Sequence, residues 1–94
     1  MYIDKHNTLR STNRKPNTPE WIYYAPGFSR IRAFKNGNIY EFDYQRVARF
    51  TGWDRSTWFS DVIARLTALS FDVRLINELI GRFKEHERRR LEEA

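Results

Sequence analysis

Cysteine is absent from this chain of 94 residues, which excludes disulfide bonds, a cysteine-based zinc site and a thiolate nucleophile. Histidine occurs only at His6 and His86, and no Ser-His-Asp grouping, Gly-rich phosphate loop or HExxH motif is present. No apolar run approaches the ~20 residues that a membrane span needs, and residues 1–5 lack the apolar region of a signal peptide. These absences predict a cytoplasmic protein that is not an enzyme, with no cofactor, no bound metal and no membrane partner.

Positive charge is concentrated in the first half of the chain. The 17 Lys and Arg residues outnumber the 12 Asp and Glu residues, which gives a net charge of +5. Residues 1–19 hold four bases and one acid, residues 28–49 hold five bases and two acids, and residues 50–94 hold eight of each. Aromatic residues are also abundant, at 16% of the chain. A basic and aromatic first half predicts an anionic partner, either nucleic acid or an acidic protein surface.

Residues 1–19 are predicted to form a flexible basic arm in front of one small domain over residues 20–94. The arm is rich in Asn, Thr, Ser and Pro, and its few apolar residues (Tyr2, Ile3 and Leu9) follow neither a helical nor a strand period. Such a segment cannot offset its ordering entropy by burial. We therefore expect an arm without core contacts that can fold on a partner.

Residues 20–42 predict a three-stranded antiparallel meander. Aromatic and β-branched residues run from Trp21 to Tyr24, and Ala25-Pro26-Gly27 is typical of a type II turn. Asn36-Gly37 lies between two further strand-like runs and strongly indicates a hairpin, because both turn positions need a positive φ. This turn fixes a register with Ile31, Ala33, Tyr40 and Phe42 on the core face and with Arg30, Arg32, Phe34, Ile39 and Glu41 on the outer face.

The second half predicts three helices, over about 44–51, 55–69 and 73–92. An aromatic residue followed by an aspartate precedes each helix, so the expected N-caps are Asp43, Asp54 and Asp72. Gly52 is suited to end the first helix, and Trp58 begins the apolar stripe of the second and is expected to be buried. The predicted fold class is therefore α+β, with the N-terminal meander followed by three helices.

The stretch VARFTGWDRSTW, from Val47 to Trp58, resembles the helix-turn-helix of bacterial and phage repressors. Ala48 stands at that family's small position, where the two helices touch, and Gly52 falls on its turn. The resemblance implies that the second helix enters the major groove of DNA with Arg55, Ser56 and Thr57 at its leading end. The alternative is a helix pair that is merely packed, with the second helix buried through its apolar stripe.

The leading hypothesis is a nucleic-acid-binding protein, with duplex DNA favoured over RNA, such as a small phage or bacterial regulator. Its predicted contacts are Arg10, Arg14, Lys15, Arg30, Arg32, Lys35, Arg46, Arg49, Arg55, Ser56 and Thr57. Basic residues interleaved with aromatic ones on the sheet also suit a single strand, unless those aromatic residues form the core. The alternative function is a protein-interaction module, for example a phage inhibitor or adaptor that blocks a host protein. Whether the protein forms a homodimer is left open.

Overall fold

A computed structural model describes residues 2–3, 8–10 and 20–93 as an α+β structure, with an antiparallel meander followed by three helices. The strands, in both chain and sheet order, are β1 (Tyr2–Ile3), β2 (Thr8–Arg10), β3 (Glu20–Tyr24), β4 (Arg30–Lys35) and β5 (Asn38–Asp43). The helices are α1 (Tyr44–Thr51), α2 (Arg55–Ala68) and α3 (Val73–Glu93). The predicted fold class is confirmed.

Two strands of the sheet come from the segment that the sequence predicts to be an arm. The backbone of β2 pairs with β3, and Leu9 lies opposite Ile22 and is completely buried. β1 pairs with β2 in turn. The prediction that residues 1–19 make no core contact is therefore wrong at Leu9, because one apolar side chain at the right register is enough to join a sheet. Residues 11–19 lie outside the described residues.

The hairpin between β4 and β5 has the predicted turn and register. Asn36 and Gly37 both have positive φ, at 51° and 82°. Phe34 pairs with Ile39, and Arg32 pairs with Glu41. Ahead of this hairpin, the Phe28 amide donates to the Ala25 carbonyl at 2.9 Å across Pro26-Gly27, as the predicted turn requires.

Each predicted aspartate accepts an amide hydrogen at the start of a helix. The carboxylates of Asp43, Asp54 and Asp72 accept from the amides of Arg46 (3.3 Å), Thr57 (2.7 Å) and Arg74 (2.9 Å). The hydrogen bond from Thr57 lowers the pKa of Asp54. Gly52 ends α1 with a φ of 73°, and its amide donates to the Ala48 carbonyl at 2.8 Å. The helix boundaries are thus fixed by local polar contacts that the sequence already indicates.

The three described helices pack on the inner face of the sheet, where α3 packs against β2 and β3 and α2 packs against α3. Trp58 is 1% exposed, as predicted, and Phe59 stacks on Phe83 with ring centroids 3.9 Å apart. The buried core is formed by Leu9, Ile22, Tyr24, Phe28, Ile31, Ala33, Trp58, Phe59, Val62, Leu66, Phe71, Leu75, Ile76, Leu79 and Phe83. Over the described residues, no helix combines the length and hydropathy that crossing a membrane requires.

Candidate nucleic-acid interface

The outer face of the sheet carries the side chains of Trp21, Tyr23, Arg30, Arg32, Phe34, Ile39 and Glu41. None of its four apolar or aromatic members belongs to the buried core or to the side chains packed against it within the described residues. The Trp21 and Phe34 rings are parallel within 5°, with centroids 5.6 Å apart. Tyr23 is the cross-strand neighbour of Arg32. This face therefore joins aromatic and cationic groups in adjacent rows.

The two arginines of the outer face are held loosely by carboxylates. Arg30 lies 3.5 Å from Glu41 and 3.7 Å from Asp43, and Arg32 lies 3.6 Å from the same Glu41. Both arginine side chains keep nearly half of their surface exposed, at 47% and 46%. Exposed pairs of this kind contribute about 0–1 kcal/mol, so a phosphate could replace a carboxylate partner at little cost.

Helix α1 adds two cations beside this face. Arg46 and Arg49 are exposed, and neither lies within ion-pair distance of an acidic group among residues 20–93. Phe50, next to them, is 84% exposed. Asp43 links the two regions, because its carboxylate contacts Arg30 and also caps α1 at the Arg46 amide. The cations of α1 thus follow Arg30, the last cation of the sheet on this side.

Lys35, a predicted contact, is turned to the inner side of the structure instead. Its ammonium lies 2.9 Å from Glu20, donates to the Ser70 carbonyl and stands 5.6 Å from the centre of the Phe71 ring. Glu20 in turn accepts from the Asp72 amide at 2.8 Å. Lys35 therefore ties the end of the sheet to the turn between α2 and α3.

Arg55 is the first residue of α2, as predicted, but its guanidinium is engaged within the molecule. It lies 3.1 Å from Glu87, donates to the Gly27 carbonyl and stands 5.4 Å from the centre of the Tyr44 ring. Burial raises the pKa of Glu87, but hydrogen bonds from Arg90 and Arg55 outweigh it, so the pKa lies below its ordinary value. Arg55 therefore joins α2 to α3 and to the turn after β3.

The other predicted contacts are spread over the molecule. Ser56 and Thr57 are exposed at the start of α2, whose opposite side is buried through Trp58, Phe59, Val62 and Leu66. Arg10 belongs to β2 through its backbone, which pairs with Trp21. Arg14 and Lys15 lie outside the described residues. Arg30 and Arg32 are therefore neighbours on the outer face, Arg46 and Arg49 follow on α1, and Lys35 is turned to the inner side.

Trp21 and Tyr23 belong to the aromatic residues of the sheet that the sequence suggests for a single strand, whereas Phe50 was not predicted as a contact residue. The signal for the first two was strand alternation, because Ile22 and Tyr24 point into the core and their neighbours must point out. Tyr24, on the same strand, and Phe28, in the turn after it, are instead core residues, and their rings stack with centroids 4.4 Å apart. The exposure of Phe50 could not be predicted from the sequence, because a helix of only eight residues shows too few turns of its apolar period.

A hollow of about 430 Å³ lies between β5, α1 and α2. Its rim holds three carboxylates, those of Glu41, Asp43 and Asp61, and two guanidiniums, those of Arg46 and Arg65, so the hollow adjoins the outer face at Glu41 and α1 at Arg46. Among the described residues, no group of three His, Cys, Asp or Glu side chains is arranged to hold a metal ion. The outer face and α1 are the region in which aromatic rings and exposed cations adjoin.

Comparisons of the chain with protein families, with curated proteins and with solved structures found no match. The candidate interface therefore rests on the chain's own geometry.

Proposed function

We propose that this protein binds nucleic acid and is not an enzyme, and that it binds through the outer face of the sheet together with α1. The observation that carries the proposal is the juxtaposition of Trp21, Tyr23 and Phe34 with Arg30 and Arg32 on a face that no described helix covers. Aromatic rings for bases and guanidiniums for phosphates are the two kinds of group that nucleic-acid surfaces combine. Arg46 and Arg49 extend the cationic part and have no carboxylate within ion-pair distance among residues 20–93.

The contacts of α2 do not favour the route that the helix-turn-helix resemblance implies. A recognition helix needs free donors at its N-terminal end, whereas the Arg55 guanidinium is already bound to Glu87 and to the Gly27 carbonyl. The exposed side of α2 also pairs its own charges, with Arg65 2.8 Å from Asp61. Duplex binding through α2 would require Arg55 to leave its partners, and it stands as the competing route.

Fluorescence anisotropy with labelled oligonucleotides of random sequence tests the proposal at two salt concentrations. Arg46→Ala and Arg49→Ala should each weaken binding and reduce the slope of log affinity against log salt, by about 0.7–0.9 for each phosphate that is no longer bound. Lys84→Ala is the matched control, because Lys84 is also exposed and has no ion-pair partner among residues 20–93 but lies on α3. Equal losses of affinity in all three variants would indicate a nonspecific charge effect and contradict the proposed surface.

An acidic protein partner is the second candidate, favoured by the 84% exposure of Phe50 beside the α1 cations. Exposed aromatic residues and arginines are enriched at protein interfaces. A pull-down after nuclease treatment tests this candidate. A specific partner should be retained by the wild type and by Leu91→Ser, a control at another exposed apolar residue (68%), and should not be retained by Phe50→Ser. Equal retention by both variants would remove Phe50 from any such interface.

A further inference from the structure

We infer that the nucleic acid recognised by the outer face is single-stranded, and that its bases stack on Trp21, Tyr23 and Phe34. This inference rests on the proposed function and names the ligand class of the same surface. It requires a surface on which aromatic rings are available to a ligand rather than needed by the core. Phosphate-binding groups must lie on neighbouring residues. Residues of β3, β4 and α1 meet both conditions.

The aromatic row is not part of the hydrophobic core. Trp21, Tyr23 and Phe34 are each only half-buried, whereas their neighbours Ile22 and Ala33 on the opposite face are completely buried. The sheet therefore has enough apolar material for its core without these three rings. Aromatic side chains that are only half-buried cost solubility, so a sheet that needed only an outer surface would more simply carry polar residues there.

The geometry of the row suits unpaired bases. Trp21 and Phe34 lie on adjacent strands and stack on each other with parallel rings, whose centroids are 5.6 Å apart, and Tyr23 follows two residues along β3 on the same face. Every base has a π-face, so about two or three bases could stack on this row irrespective of their sequence. In a duplex the base faces are covered by their neighbours in the stack, and such a row would meet only the sugar-phosphate backbone.

The arginines lie where the backbone of such a strand would run. Arg32 is the cross-strand neighbour of Tyr23, and Arg30 lies one row further towards α1. Beyond Arg30, Asp43 contacts the Arg30 guanidinium and caps α1 at the Arg46 backbone amide, and Arg49 lies about one turn further along α1. A strand whose bases stack on the aromatic row can therefore place phosphates along these four cations. Four bound phosphates predict a salt slope of about 3 for a single strand, or binding ~50-fold weaker at about 200 mM than at 50 mM salt.

Competition between a single strand and a hairpin duplex of the same sequence tests the inference, with the wild-type protein and four variants, three at Phe34 and one at Ile39. The single strand should bind more tightly. Phe34→Ala should weaken single-strand binding about 5- to 100-fold, and Phe34→Leu, which keeps an apolar side chain but removes the ring, should lose most of the same affinity. Ile39→Ala is the control, because Ile39 is the cross-strand partner of Phe34 and is 64% exposed but has no ring.

The outcomes separate stacking from nucleic-acid binding as such. Tighter binding of the duplex, or equal losses of affinity with Phe34→Ala and Ile39→Ala, would overturn stacking while leaving nucleic-acid binding intact. Binding of neither oligonucleotide would overturn the proposed function itself and with it this inference. Melting temperatures of all variants distinguish reduced affinity from reduced folding. Phe34→Tyr, which keeps an aromatic ring at this position, should bind the single strand about as tightly as the wild type.

Discussion

The two faces of one sheet have opposite compositions, although they are built from the same strands. The inner face buries Leu9, Ile22, Ile31 and Ala33 completely. The outer face carries aromatic rings and arginines that no described helix covers. Because side chains alternate along a strand, neighbouring residues have different roles, stability on one side and, as we propose, binding on the other. Substitutions on the two faces should therefore change different observables.

The largest expected effect is on the inner face, at Leu9. Leu9→Ala should cost about 2–5 kcal/mol of unfolding free energy, because it leaves a cavity beside Ile22. Ile39→Ala on the outer face should stay within about 0.5 kcal/mol, because that side chain is 64% exposed. Urea unfolding of both variants measures the difference. A silent Leu9→Ala would mean that β2 is not part of the stable fold.

The next effect concerns Arg55, a cation that the structure uses internally. Arg55→Ala should cost about 1–3 kcal/mol, because it removes a charged donor from Glu87 and from the Gly27 carbonyl. Arg65→Ala, on the same helix but in an exposed pair with Asp61, should cost less than about 1 kcal/mol. Thermal unfolding compares them. If Arg55→Ala left stability unchanged and weakened DNA binding, the recognition-helix route would replace the one proposed here.

The pH dependence of stability should contain a contribution from Glu87. Its pKa is below the ordinary value of 4.5, so the unfolded state takes up the proton more readily than the folded state. Its contribution is therefore present above about pH 4.5 and disappears as the pH falls through the lower folded value. Glu87→Gln should be less stable than the wild type at neutral pH and should lose less stability on acidification. Unfolding curves between about pH 3 and pH 7 test this, and parallel pH profiles would contradict it.

A smaller effect, and a stabilising one, is expected at Ser70. This residue follows α2 with a φ of 62°, and the Phe71 amide beyond it donates back to the Leu66 carbonyl at 3.1 Å, a helix ending in which glycine is preferred. Ser70→Gly should stabilise the fold by about 0.5–1 kcal/mol and leave nucleic-acid binding unchanged. Ser60→Gly, within α2, should destabilise it by roughly 0.5 kcal/mol. The same sign for both variants would contradict this interpretation of Ser70.

Local signals predicted most of the fold. Asn36-Gly37, the aspartate caps and Gly52 each act through neighbouring backbone groups, and a sequence displays such relations directly. The role of Leu9 was missed because its burial depends on pairing with β3, thirteen residues further along the chain. Periodicity cannot reveal a strand in which a single side chain reaches the core.

The candidate site was predictable only in part, for a related reason. Sequence shows that a residue is basic but not which carboxylate folding brings beside it. Lys35 meets Glu20 across the sheet, and Arg55 meets Glu87 from a different helix, so both cations are occupied within the molecule. Arg46 and Arg49 have no such partner among residues 20–93. Only the fold distinguishes these two kinds of cation.

Amide chemical-shift mapping with a short single-stranded oligonucleotide tests binding by the outer face most directly. We predict shifts along β3, β4 and β5 and in α1, largest near Trp21, Phe34 and Arg46, with the exposed end of α3 unaffected. Shifts concentrated at the start of α2, around Ser56 and Thr57, would contradict binding by the outer face and favour the helix-turn-helix route. Shifts absent from the whole chain would contradict nucleic-acid binding and leave the protein partner as the better explanation.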